Sequence, residues 1–235
     1  MSRVPQVFNR FNSYASPYSY QAKKSLIKIR PSSPESEWEN NPVIYSAVSE
    51  LSKVEFDQED ADYLKEMGIN LKFRSGEEAV SFIRNRNIQI QFAQIQSNSI
   101  FAQYDYYKNT ILLNETYKNT INNAEILALS EAILHECGHA KDMDSSNSIQ
   151  EEINNLALNT LAHKYYTKKY PYIFKSSNAL IVRDGVNIYP ELFFDKDPDK
   201  KALIHRLKDK YGSLPTHDRN NRITDISRKV KENNN

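Results

Sequence analysis

The 235 residues of this chain suffice for one domain with a sizeable core, and 31 basic against 30 acidic residues leave a net charge of +1. That balance gives no electrostatic case for a nucleic-acid or membrane-surface partner. The single cysteine, Cys137, excludes an intramolecular disulfide, and no apolar run is long enough for a membrane span or a signal segment. We expect a soluble, cytoplasmic protein, with non-classical export left open.

The first 42 residues are rich in Ser, Pro, Tyr and Asn. This composition predicts a flexible N-terminal segment over 1–42, followed by one globular domain over 43–235. The domain opens with a predicted short helix stopped by Gly68, a strand over 69–73 and a helix capped by Ser75.

Strands are predicted next. "IQIQFAQI" (88–95) alternates apolar and polar residues, and "SIFAQY" and "NTILLNE" predict two more strands around the turn "DYYKN". A long helix is predicted from about 123 to 141, another from near Ser148, and a third ending at Gly212. Strands followed by helices indicate an α+β fold with a helical C-terminal half.

The stretch "EAILHECGHAKD" carries the chemistry of this chain. His135 and His139 are four residues apart, so on a helix both imidazoles lie on one face and can bind one ion. The intervening Glu136 can reach a water molecule on that ion and act as its general base, the arrangement used in zinc-assisted hydrolysis. Gly138 costs about 1 kcal/mol of helix propensity, which indicates that this helix surface needs space.

This HECGH helix, with an apolar run ahead of it and a strand upstream, resembles the active-site helix of zincin metallopeptidases over roughly residues 75–165. The resemblance implies a zincin-like fold, a small, twisted, mostly antiparallel sheet packed on the active-site helix. It also implies that the edge strand, here "NTILLNE", pairs with an extended peptide substrate. Zn²⁺ is the implied cofactor.

Two glutamates are candidates for the third metal ligand. The metzincin continuation is excluded, because Asp142 and Ser145 occupy the positions of its glycine and third histidine. The short spacer resembles bacterial ImmA/IrrE-like peptidases, in which a glutamate early in the next helix completes the site. Here that position is Glu151 or Glu152.

The residues around these glutamates argue both ways. Asn155, four residues after Glu151, favours Glu151 by resemblance, but Ser148 and Glu151 also form a capping box that would occupy the Glu151 side chain. Glu152 would then be free, on a face carrying Asn155, Asn159 and His163. Glu152 is slightly favoured, and both stay open.

A further histidine lies in "LPTHDRNNRI" (214–223), which is similar to a C-terminal segment of some HExxH peptidases. The resemblance implies that His217 could stabilise the oxyanion during hydrolysis. The alternative is a helix capped by Thr216 with His217 exposed in its first turn.

The sequence thus predicts a zinc-dependent metallopeptidase acting on a peptide or protein substrate. His135, His139 and a glutamate bind zinc, and Glu136 is the base. The alternative is a non-catalytic zincin-like interaction or regulatory module with a structural metal site.

Overall fold

The structure is a computed structural model, and it describes residues 37–95, 100–142, 147–176, 193–194 and Pro215. The helices are α1 (Pro42–Ser52), α2 (Gln58–Glu66), α3 (Gly76–Asn85), α4 (Asn123–Asp142), α5 (Ile149–Lys169) and α6 (Pro171–Ser176). The strands are β1 (Gln89–Ala93), β2 (Ala102–Asp105) and β3 (Thr110–Asn114). The helix predicted to end at Gly212 lies outside the described residues.

Most predicted elements are confirmed, and their end signals work as expected. Gly68 follows α2 with a φ of 76°, a conformation that glycine adopts without steric cost. Ser75 caps α3 by accepting a hydrogen bond from the Glu78 N–H at 3.2 Å. Ser148 caps α5 in the same way, accepting from the Glu151 N–H at 3.2 Å.

Helix α1 was missed by the sequence analysis, although its start signal is clear. Asn41 accepts hydrogen bonds from the N–H groups of Val43 and Ile44, and Pro42 occupies the first helical position. The buried face of α1 repeats at helical spacing, with Val43, Ile44, Ala47, Val48 and Leu51. This face packs against α4 and so supports the helix that carries the histidine pair.

The strand predicted over 69–73 is wrong. Its polar groups bond to helices instead of to a neighbouring strand: the Asn70 N–H donates to Asn154 Oδ1 in α5, and the Lys141 ammonium in α4 donates to the Lys72 carbonyl. An apolar alternation predicts a strand only where a partner strand exists, and here the segment instead crosses the ends of two helices.

The sheet has the order β1-β3-β2, with β1 parallel and β2 antiparallel to β3. It is therefore mixed, which corrects the expectation of a mostly antiparallel sheet. The strand within "NTILLNE" is β3, and it lies in the centre, which corrects its expected place at the edge. Four of the five residues of β3 are buried, so both faces of this strand are covered. Such burial is typical of a strand that lies between two neighbouring strands. The edge strand that contacts α4 most is β2.

Helix α4 runs through the middle of the fold and contacts α1, α5 and β2. Trp38, which precedes α1, is buried in the same core, with the Arg84 guanidinium 5.9 Å from its ring centroid. The boundary between segment 1–42 and domain 43–235 stays a prediction, because residues 1–36 lie outside the described part. Among the described helices, none has the length and apolar character that crossing a membrane requires.

Candidate metal centre

Helices α4 and α5 bring three candidate ligands together. His135 and His139 are one turn apart on α4, with ring centroids 5.0 Å apart, and Glu152 faces them from the first turns of α5. One donor atom from each of these three side chains lies within 4.8 Å of the others. Of the two glutamates left open by the sequence, Glu152 is therefore the one placed to complete the group.

The Glu152 oxygens lie slightly further from the histidine nitrogens than in short charge-assisted hydrogen bonds. Glu152 Oε2 lies 3.4 Å from His135 Nε2, and Glu152 Oε1 lies 3.5 Å from His139 Nε2. Charge-assisted hydrogen bonds are shorter, at about 2.7–2.9 Å. Zinc ligand bonds of about 2.0–2.1 Å at tetrahedral angles place neighbouring donors about 3.3–3.4 Å apart. The three side chains thus form a His₂Glu group that could hold a metal ion.

The other ring nitrogens of the histidines have partners on α5. His139 Nδ1 lies 2.8 Å from Glu151 Oε1, and His135 Nδ1 lies 3.5 Å from the Asn159 amide. A histidine that binds metal through Nε2 carries its proton on Nδ1, so both partners must accept. Glu151 does so as it stands, and Asn159 does so after a half-turn that exchanges its amide oxygen and nitrogen.

The predicted capping box forms only in part. Ser148 caps α5, but the Glu151 side chain turns to His139, and the Ser148 N–H donates to Asn147 Oδ1 at 2.8 Å. The capping box is therefore not the reason why Glu152 is available as a ligand, since the Glu151 side chain does not cap the helix. The two glutamates divide their roles: Glu151 orients a histidine and Glu152 faces both.

Negative charge surrounds the histidine pair. Burial by itself lowers the pKa of His139, but the hydrogen bond with Glu151 and the charges of Glu152 and Glu136 outweigh it and raise that pKa to about 9. Burial of Glu152 is likewise outweighed by His135 and His139, which hold its pKa well below the usual range. A site with this charge favours a cation, either a proton or a metal ion.

Gly138 makes the close approach of the two helices possible. A Cβ at this position would overlap Asn155 Oδ1 and lie 2.5 Å from Asn155 Cγ. Asn155 is fully buried, and neither of its amide atoms has a hydrogen-bond partner among the described residues. The space inferred from the sequence is thus filled by a side chain of α5.

Glu136 points away from α5 and towards the sheet. Its Oε2 accepts a hydrogen bond from the Tyr104 main-chain N–H in β2 at 2.8 Å, and the residue is 9% exposed. The candidate base is thus next to the ligand group in sequence and in contact with an edge strand in space. No sequence signal indicates this contact, because it joins a side chain to a backbone amide 32 residues away.

Three further features lie on α4 and α5 beside the ligand group. Glu131, one turn before His135, accepts a hydrogen bond from His163 Nδ1 of α5 at 2.9 Å. The sequence analysis missed this interaction, although both residues lie at helical spacing along the polar faces of α4 and α5. Cys137 is fully buried, and burial raises the pKa of its thiol, as in an unreactive structural cysteine. Asp142 pairs with Lys72. His217 lies outside the described residues.

Comparison of the chain with protein-family models, with curated proteins and with solved structures finds no match in any of the three. The structure itself supports the class: the sheet and the two long helices make this an α+β protein, and the three-residue ligand group is a candidate metal centre.

Proposed function

We propose that this chain is a zinc-dependent metallopeptidase, a hydrolase of peptide bonds in which His135, His139 and Glu152 hold the metal and Glu136 is the general base. The observation that carries the proposal is the position of both Glu152 oxygens, 3.4 and 3.5 Å from the two histidine Nε2 atoms. Both distances exceed those of short charge-assisted hydrogen bonds and are compatible with an ion shared by the three side chains.

The chain's own residues divide the chemical tasks. Bound Zn²⁺ supplies Lewis acidity and lowers the pKa of a coordinated water to about 7. Glu151 and Asn159 hold the two histidine rings so that their Nε2 atoms face Glu152. Glu136 accepts the proton of the attacking water and delivers it to the leaving amine.

The edge of β2 suits an extended peptide. An edge strand exposes alternate N–H and C=O groups, and a peptide can add to it as one more strand. β2 is an edge strand of the sheet and contacts α4, so a peptide paired with that edge would run beside the helix that carries Glu136.

His217 is proposed as a second electrophile that stabilises the oxyanion. One contact supports this role: the Pro215 carbonyl accepts a hydrogen bond from the Ile149 N–H at 2.9 Å, at the start of the helix that supplies Glu152. His217 is two residues further along the chain.

The alternative is a non-catalytic zincin-like interaction or regulatory module with a structural metal site. The Glu136–Tyr104 hydrogen bond favours this alternative, because it gives Glu136 a structural reason to be present. Activity of the variants therefore decides between the two functions.

The test is metal analysis and peptide hydrolysis on the natively purified full-length protein. We expect about one zinc ion per chain, metal loss in Glu152→Ala, and retained but weaker binding in Glu151→Ala. Glu136→Gln should keep its zinc and lose hydrolysis.

Two outcomes contradict the proposal. A wild-type protein without stoichiometric divalent metal would remove both the enzyme and the structural-metal function. A zinc-loaded wild type that cleaves no member of a diverse peptide library, with stability that falls on chelation, would leave the structural module.

A further inference from the structure

The main-chain N–H of Tyr104 points away from the β2–β3 ladder. Phe101 accepts a ladder hydrogen bond from the Asn114 N–H at 2.8 Å, which sets the phase of the antiparallel pair. Because bonding direction alternates along such a pair, Gln103 faces β3 with its backbone groups. Ala102 and Tyr104 then turn theirs to the free edge.

At this free edge the Tyr104 N–H has a charged acceptor. It donates to Glu136 Oε2 at 2.8 Å in a setting where Glu136 is 9% exposed. Hydrogen bonds to a carboxylate are roughly twice as strong as neutral ones, and low exposure removes competing water. One oxygen of the candidate base is thus fixed by the backbone of the sheet.

We propose that the Tyr104 main-chain amide is a positioning group for Glu136, and that it is therefore withdrawn from pairing with a peptide on β2. This inference rests on the proposed peptidase function. It assigns the sheet a role in holding the base, in addition to its role as a surface for the substrate.

The second part of the proposal concerns the register of the peptide. A strand added to β2 cannot pair with the Tyr104 N–H, because Glu136 occupies it. The peptide therefore lacks one of its regular hydrogen bonds beside the base. The missing bond lies where the scissile group must approach Glu136.

The hydrogen bond is tested first without any substrate, by amide hydrogen exchange in NMR spectra of the full chain. We expect the Tyr104 amide to exchange at least about ten times faster in Glu136→Ala than in wild type, while the Gln103 amide in the ladder stays unchanged. Glu136→Gln keeps an oxygen acceptor and should keep the protection.

Two exchange results overturn the proposal. If the Tyr104 amide exchanges equally in wild type and in Glu136→Ala, the bond does not hold in solution. A rise that Gln103 shares would show that the bond only fastens α4 to the sheet.

The positioning role is tested by replacing the Tyr104 amide with an ester, through suppression of a stop codon with the α-hydroxy analogue of tyrosine. The ester removes the donor and keeps the side chain. We expect kcat to fall by about ten- to hundredfold, the change that follows from loss of a hydrogen bond to a charged group. KM should change less than about twofold and zinc content should stay constant.

An ester at Gln103 is the matched control, because it removes a ladder N–H of the same strand and should leave kcat within about twofold of wild type. A Tyr104 ester with wild-type kcat overturns the positioning role while the peptidase function stands. A zinc-loaded wild type without hydrolysis overturns the peptidase function, and the exchange data then still report on the hydrogen bond.

Discussion

Replacing Gly138 with alanine tests the packing of the two helices that build the metal group. The new Cβ would overlap Asn155 Oδ1 and lie 2.5 Å from Cγ, so the amide or the whole of α5 must move. Overpacking of this kind costs about 1–3 kcal/mol, and the better helix propensity of alanine returns about 1 kcal/mol. We expect a net loss of up to about 2 kcal/mol in the free energy of unfolding.

Urea unfolding of the zinc-loaded and the chelator-treated protein measures this loss. The zinc-loaded protein should lose more, because a shift of α5 also moves Glu152 away from the histidines and weakens metal binding. Asn155→Ala removes the clashing amide, and the double variant should be more stable than Gly138→Ala alone.

A second glycine provides the contrast. A Cβ at Gly76 would overlap the main-chain oxygen of Leu51 and lie 2.9 Å from its carbonyl carbon, a clash that no side-chain truncation can relieve. A Gly138→Ala variant more stable than wild type, or a double variant in which Asn155→Ala restores no stability, would contradict the clash between Gly138 and Asn155.

Three further predictions concern the charges and the thiol of the site. Glu151→Gln should weaken zinc binding by about 10–100-fold without abolishing it, measured by competition with a chromogenic chelator; equal loss in Glu151→Gln and Glu152→Gln would contradict the division of roles. Metal-free protein should lose stability as the pH rises from 6.5 to 9, because folding raises the pKa of His139 from 6.5 to about 9. Protonated His139 stabilises the folded state fully only at pH values below its pKa in the unfolded chain. The loss is about 3 kcal/mol in urea unfolding, and it should be smaller with zinc bound, since the ion replaces the proton. Cys137 should react with a thiol reagent only after denaturation, and rapid modification of the folded protein would contradict its burial.

The sequence determined the parts of the site that depend on helix periodicity. His135, Glu136 and His139 needed only the four-residue spacing and the apolar run that forms α4. Ser75 and Ser148 were found because a cap bonds to its own helix within three residues. Gly138 signalled a close approach because its propensity cost needs a reason.

The same local logic failed where a partner distant in the chain decides. The order of the strands depends on which strand is buried on both faces, so β3 took the central place that the local pattern could not assign. Segment 69–73 has a strand-like pattern, but Asn154 and Lys141 supply partners for its backbone that lie on helices.

The choice of the third ligand shows both what the local sequence pattern can predict and what it cannot. The local pattern left Glu151 and Glu152 as alternatives and favoured Glu152 because a capping box would occupy Glu151. The structure does place Glu152 with the histidines. Glu151 is engaged by His139, however, and not by the helix cap. Adjacent helical positions point about 100° apart, so only the angle at which α5 packs on α4 decides which carboxylate faces both rings. The sequence by itself determined the helix that carries the histidine pair and a choice of two glutamates. The tertiary structure decided which glutamate faces the histidines and which backbone amide holds Glu136, because both depend on contacts between elements that no local pattern encodes.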